Sequence, residues 1–322
     1  DPLASFQASV HRAEQGTPTI DVASSRRETQ LTQESLSGKK PSVEVDLSKS
    51  ININKSDDPE SVKSLVLALE TLASFGGSDG KVTTTSGTVP LLPFVQAVVA
   101  RYLSHPAHEV RKSAALTCCS LLVPRGAAHG PQIGTFSGSI VEDILQKLLR
   151  TSVSDPAALV RLCVVQALDS RYDSFLGQGH HLRELFLLLQ DEALPTRAAG
   201  LRLLGRLASK NPGPVLPVLR TFLNNLIVEL ECGLDTGRMR EEAARLLVVY
   251  VRAKPSERLV RSVLPAVVNA LPIDKAAPPR LASASLEALG ELAQATGEDM
   301  QPWVHKVIPH VLDIMEDRSS AS

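Results

Sequence analysis

Val215-Leu216-Pro217-Val218-Leu219 is the stretch on which the fold turns. Its pattern is two apolar residues, a proline, any residue, then another apolar one. It returns as Leu91-Leu92-Pro93-Phe94-Val95, Val263-Leu264-Pro265-Ala266-Val267 and Val307-Ile308-Pro309-His310-Val311. Pro217 and Pro265 are 48 residues apart, and Pro265 and Pro309 are 44 apart. The interval from Pro93 to Pro217 makes three further steps of about 41 residues, the period of two-helix HEAT units. Proline removes a helical hydrogen bond and clashes with the preceding turn. Its return at one place in the period predicts a bend, or an early-turn position, in the first helix of each unit.

A second element runs in step with the first. An aspartate is followed six residues later by an arginine at Asp155 and Arg161, at Asp191 and Arg197, and at Asp274 and Arg280. Two more units keep only the arginine, Arg111 and Arg240. The arginines advance by 50, 36, 43 and 40 residues. Each aspartate falls in the turn between two helices, where its carboxylate accepts from backbone N–H groups at the second helix's start. The guanidinium fork can then reach the aspartate of its own or of the next unit, making a ladder along the stack.

Around these markers the chain reads as helix after helix. Val62, Leu65, Val66, Leu69 and Leu72 have helical spacing. Residues 76–88 form a Gly/Ser/Thr loop. Helices follow near 90–104, 107–123, 137–152, 157–170, 180–190, 194–209, 214–231, 238–253, 256–271, 279–296 and 301–316. Ala244, Leu247, Val248 and Val251 make a typical apolar stripe, with Glu241, Arg245 and Arg252 off it. One such pair cannot bury its stripe alone, but stacked pairs bury it against their neighbours. The fold class is therefore all-α: a HEAT-repeat solenoid of about six antiparallel helix pairs over 58–322. Residues 1–57 are polar, without helical spacing, and are expected to be poorly ordered.

Composition narrows the function. Hydrophobic residues make up 43% of the 322, enough for a large buried structure, and the formal net charge of −1 lacks the basic excess of a nucleic-acid binder. No run of about 18 apolar residues occurs, so no transmembrane segment is expected. Residues 1–15 lack a signal-peptide pattern, and the first residue is Asp1 rather than Met, which reads as a piece of a longer protein. Without secretion, the acceptor pattern Asn54-Lys55-Ser56 carries little weight. Cys118, Cys119, Cys163 and Cys232 form no C-x-x-C and read as reduced thiols packed in helices.

The search for chemistry returns no catalytic, metal or cofactor-binding residue. Gly77-Ser78-Asp79-Gly80-Lys81 fails as a phosphate loop: Phe75 stands where a glycine is required and Val82 where Ser or Thr must hold magnesium. No kinase or hydrolase signature occurs. His180 and His181 are adjacent on a helix, point apart and read as a solvated helix start. His305 and His310 are five apart, which suits no helical face. Trp303 reads as a packing residue between helices.

Longer strings carry a resemblance to a known family. They are "ILQKLLRTSVSDPAALVR" (144–161), "LDSRYDSFLGQGHHLRELFLLLQDE" (168–192), "GRLASKNPGPVLPVLR" (205–220), "GELAQATGEDMQPWV" (290–304) and "DIMEDRSS" (313–320). With residues 67–75 and 110–119, they resemble the N-terminal helical-repeat region of the target-of-rapamycin (TOR) protein kinases over roughly 62–322. The resemblance implies a large Ser/Thr kinase parent that controls growth in response to nutrients. Its ATP and magnesium sites and its rapamycin-binding domain would lie outside this chain. It also implies a scaffold role, with a Raptor-type subunit and a second TOR protomer as partners, and a cytoplasmic location with peripheral association to lysosome or vacuole membranes. The competing reading is a HEAT scaffold of another class, a nuclear transport receptor or a phosphatase scaffold subunit. A transport receptor would carry an acidic inner surface, and the net charge offers it no support.

The ladder has a consequence for stability. A buried ladder arginine is worth about 3 kcal/mol and an exposed one under about 1 kcal/mol. Arg197→Ala is therefore expected to lower the melting temperature more than Arg238→Ala. Equal small shifts in parallel thermal melts would contradict the ladder.

Overall fold

The computed structural model describes residues 58–74, 81–84, 87–123, 131–232, 237–254, 256–272 and 277–320. Residues 1–57, expected to be poorly ordered, lie outside these, as does Asp274.

The described chain is a file of helix pairs. Helix α1 (Pro59–Ser74) comes first. The first pair is α2 (Leu91–Ala97), extended by a 3-10 turn at Val99–Ser104, and α3 (His108–Leu121). The second is α4 (Phe136–Ser154) and α5 (Ala158–Ala167). A short α6 (Asp173–Leu176) leads into the third, α7 (Gly179–Leu187) and α8 (Leu194–Ala208). The fourth pair is α9 (Pro212–Cys232) and α10 (Gly237–Ala253). The fifth is α11 (Glu257–Ala270) and α12 (Pro279–Thr296), and α13 (Gln301–Ser320) closes the file. One departure from the sequence reading falls at 76–88. Strands β1 (Lys81–Thr84) and β2 (Gly87–Pro90) pair there as an antiparallel hairpin, Lys81 opposite Pro90, where a plain loop was expected.

Second helices pack on second helices, in the order α1, α3, α5, α8, α10 and α12. First helices form the other row, α2, α4, α7, α9 and α11. A helix inside such a file has neighbours on several sides, so its apolar surface is wider than one stripe. In α10, Ala243, Ala244 and every residue from Leu246 to Val251 are buried. The four residues the periodicity picked out are thus part of a broader apolar wrap. The core runs through the file as one connected cluster from Leu69 to Val307.

Local signals set the helix ends. Thr135 caps α4, its side chain accepting from the Gly138 N–H at 3.0 Å. Proline opens α9 and α12, where its missing N–H has no helical partner to lose. Gly297, at φ 56°, ends α12 in a conformation that favours glycine.

The recurring prolines do not share one early-turn position. Pro93 is the third residue of α2. Pro217 is the sixth of α9, and Pro265 and Pro309 are each the ninth of α11 and α13. These last three are exposed. Water can therefore satisfy the carbonyl left unpaired one turn earlier, which is why an interior proline is tolerated.

Two glycines of α8 permit close packing. A Cβ at Gly205 would stand 2.6 Å from the Ala253 Cβ, and one at Gly200 would stand 2.7 Å from the Leu188 Cβ. Gly290 of α12 is exposed with nothing within 4 Å of the equivalent point. Gly205→Ala is expected to destabilise by about 1–3 kcal/mol through overpacking. Gly290→Ala is expected to stabilise by about 1 kcal/mol. Chemical denaturation of the two variants checks the opposite signs.

Candidate functional site

The arginines that repeat along the sequence lie at the joints between helix pairs. Arg111 on α3 reaches forward to Asp155 of the next pair: Nε donates to Oδ2 at 2.7 Å and Nη2 to Oδ1 at 2.8 Å. Its Nη1 donates to the carbonyls of His105 at 2.9 Å and Pro106 at 2.7 Å. Arg161 on α5 repeats the arrangement one unit on. It donates to Asp191 at 2.7 and 3.0 Å, to Glu192 at 2.9 Å and to the Asp155 carbonyl at 2.7 Å. Each of these two arginines thus pairs with the aspartate carboxylate of the following unit, and meets its own unit only through backbone carbonyls of the turn.

The aspartates do two jobs at once. Oδ1 of Asp155 accepts from the Ala157 N–H at 2.8 Å, and Oδ1 of Asp191 from the Ala193 N–H at 2.8 Å. These bonds fix the turn that opens the second helix. In the first pair, where no aspartate stands six residues before Arg111, His105 fills the place: its Nδ1 accepts from the Ala107 N–H at 3.1 Å. Sequence reasoning missed this because the ring shares no charge with a carboxylate, only an acceptor at a similar reach.

Burial makes these rungs costly to break. The Arg111 and Asp155 side chains are 11% and 3% exposed, and those of Arg161 and Asp191 are 6% and 5% exposed. Burial pushes the Asp155 carboxyl up, but the Arg111 bonds and the Ala157 N–H outweigh it and hold it below the usual carboxylate range. Both guanidinium groups are held further toward the charged form, chiefly by their aspartate partners.

The later arginines behave differently. Arg197 on α8 meets no aspartate and donates through Nη2 to Glu242 of α10. Its Nε is buried without a hydrogen-bond partner. Glu242 also accepts from Arg238 at 3.0 Å; burial raises its carboxyl, and the two arginines outweigh that and lower it. Arg240 donates to the Leu230 carbonyl at 3.1 Å, near the end of α9. Arg280 is exposed in the first turn of α12, and Asp274 lies outside the described residues.

A second set of polar ties, which no sequence period marked, runs along the other ends of the second helices. Arg171 donates to the Val123 carbonyl, and the Tyr172 hydroxyl donates to the Cys119 carbonyl at 2.6 Å. Arg206 donates to Asp173 and to the Leu168 carbonyl, each at 2.8 Å, and Asn211 to the Gly177 carbonyl at 2.9 Å. Most acceptors here are loop carbonyls, which any residue type supplies. Composition therefore leaves no trace of them.

The remaining residues singled out from the sequence sit in the scaffold. Cys118 and Cys119 are buried and free, and burial pushes the Cys119 thiol up to about 12. Cys163 is half-buried, and the Cys232 side chain lies outside the described residues. The solvated helix start expected at His180 and His181 holds for His180 alone. His181 is 1% exposed, its Nδ1 lies 2.9 Å from the Phe175 carbonyl, and burial lowers its pKa. Trp303 is half-buried with the Lys306 ammonium 6.0 Å from its ring centre.

Among the described residues, no group of three or more His, Cys, Asp or Glu side chains is placed to hold a metal ion. No described helix is long and apolar enough to cross a membrane. The clefts are open grooves at the joints, one of about 510 Å3 lined by His105, Lys147, Arg150 and Asp155 among others. The surface also carries apolar positions, including Val304, Ile308 and Leu312 on one face of α13. Such an arrangement can present surface to a partner.

An all-α helical-repeat solenoid is thus the class that the fold defines. By sequence the chain is related to the target-of-rapamycin serine/threonine protein kinases. It is 33% identical over 291 residues to the serine/threonine-protein kinase TOR of Arabidopsis thaliana, an alignment covering 83% of this chain and 11% of that protein. It is 31% identical over 276 residues to tor1 of Schizosaccharomyces pombe, covering 84% and 11%. It is 31% identical over 232 residues to TOR2 of Saccharomyces cerevisiae, covering 72% and 9%. The chain therefore spans about a tenth of these relatives' length. No family model matches it. Two crystal structures of engineered proteins align over 73% and 77% of the chain, with TM-scores of 0.39 and 0.41 at 15% and 17% identity, a likeness too low to inform the fold.

The ladder geometry fixes a pH dependence. Because the Asp155 pKa is lowered on folding, its rung contributes stability above the unfolded carboxylate value of about 3.9 and loses it as pH falls through the folded value. Asp155→Asn leaves Arg111 buried against a neutral partner and is expected to cost about 3–5 kcal/mol at pH 7. Urea melts should show the gap from wild type shrinking below about pH 4. A gap independent of pH would show that the rung's charge is immaterial.

Proposed function

We propose that this chain is a scaffold segment of a TOR-type Ser/Thr protein kinase, one that supports dimer assembly and docks a Raptor-type regulatory subunit. The observation that carries the reading is the similarity to TOR kinases across most of a chain whose residues build joints and surfaces rather than a reaction centre. Solenoids of stacked pairs offer long, rigid surfaces, and binding is their usual use. In this reading the parent's ATP and magnesium lie elsewhere in the protein. The chain contributes spacing: it holds partners at fixed distances in a cytoplasmic assembly that associates peripherally with lysosome or vacuole membranes.

The test uses the whole chain immobilised, with a purified Raptor-type subunit titrated over it and sedimentation of the free chain to measure self-association. Saturable binding, absent with an unrelated helical-repeat protein of similar length, is the expected result. Failure to bind that subunit, together with saturable binding of a phosphatase catalytic subunit or a transport cargo, would replace this reading with a scaffold of another class.

A further inference from the structure

The joints between helix pairs are not equally fixed. At the first joint, Arg111 spans to Asp155, Gln96 donates to Asp143 at 2.9 Å, and Tyr172 donates to the Cys119 carbonyl. At the second, Arg161 spans to Asp191 and Glu192, Gln178 to Glu142, and Arg206 to Asp173. At the fourth, Arg252 of α10 reaches both Glu287 and Glu291 of α12. At the third joint, between the α7/α8 and α9/α10 pairs, the one side-chain hydrogen bond from helix to helix among the described residues is Arg197 to Glu242, and Asn211 in the link before α9 donates to the Gly177 carbonyl before α7. Arg111 and Arg161 each donate four hydrogen bonds, whereas Arg197 donates one and keeps its Nε buried and unpartnered.

What holds the third joint is apolar. Gly205 of α8 lies so close to Ala253 of α10 that a Cβ would not fit between them. Apolar attraction is non-directional, while a bidentate Arg–Asp pair fixes both distance and register. Two helices that meet through small apolar residues, with one polar tie, can slide by small shear steps that a laced joint resists.

We propose that the third joint is the place where this solenoid flexes, with the Gly205–Ala253 contact as its pivot and the Arg197–Glu242 pair as its one polar restraint from helix to helix. Pairs one to three then move as one body and the fourth pair moves against them. A partner that grips both sides selects one setting of the joint.

Site-specific spin labels on the full chain, introduced as ketone-bearing residues so that native cysteines stay untouched, test this. Gln166 and Arg202 are exposed on α5 and α8 and span the second joint; Arg202 and Arg245, exposed on α8 and α10, span the third. Electron–electron distance distributions are expected to be about twofold broader for Arg202–Arg245 than for Gln166–Arg202. Arg161→Met, which cuts the second joint's main rung, should broaden the Gln166–Arg202 distribution toward that of the third joint. Equal widths in the unsubstituted chain would overturn the proposal, and that comparison stands even if Arg161→Met fails to fold. A second joint that stays narrow in a folded Arg161→Met chain would also overturn it, because polar ties would then not set joint stiffness.

Discussion

A guanidinium taken out of water must have its donors satisfied, and much of the first half of this solenoid is arranged around that demand. Arg111 and Arg161 are buried at the seams between helix pairs. Removing an arginine's charge from water costs several kcal/mol, recovered only by good geometry and complete hydrogen bonding. The geometry is met by an aspartate in the next turn and by carbonyls in the arginine's own turn. An arginine so placed accepts one register between neighbouring pairs and rejects the others. The pair is better regarded as a spacer than as a source of net stability.

Net stability comes from the apolar file between the seams. Leu, Val and Ala from successive helices form one connected core, and a helix such as α10 is covered on several sides at once. That burial supplies cohesion without direction. The two contributions are therefore separable along the chain. The first two joints have both. The third has cohesion with one polar restraint from helix to helix. The fourth is tied by two ion pairs from Arg252, to Glu287 and to the largely buried Glu291.

The fold was legible because its markers repeat. The proline element and the Asp–Arg spacing recur at the helical-repeat period, and chance seldom places several in step. The rungs of Arg111 and Arg161 on Asp155 and Asp191 follow that spacing, whereas Arg197 and Arg240 share it without meeting an aspartate, and the direction in which each arginine reaches depends on packing between units and has no signature in spacing. Three features could not be read. His105 replaces an aspartate through an acceptor atom rather than a charge. Arg171, Arg206 and Asn211 donate largely to carbonyls, which every residue has. The burial of His181 follows from how α7 packs in the file, which local sequence does not encode. The hairpin at 81–90 was missed because a Gly/Ser/Thr-rich stretch is scored as loop whenever its pairing partner is another such stretch.

In the scaffold role proposed for it, this chain acts through distances. In such a chain a buried rung bears on function even though it touches no partner, because it sets how far apart two surfaces stand. Stiffness is then as much a property to be tuned as affinity. A run of fully laced joints transmits a displacement from end to end. One joint held by small apolar residues interrupts that transmission at a defined place. Lacing every joint equally would raise stability, but it would leave a surface with a single shape, able to meet only partners already cut to it.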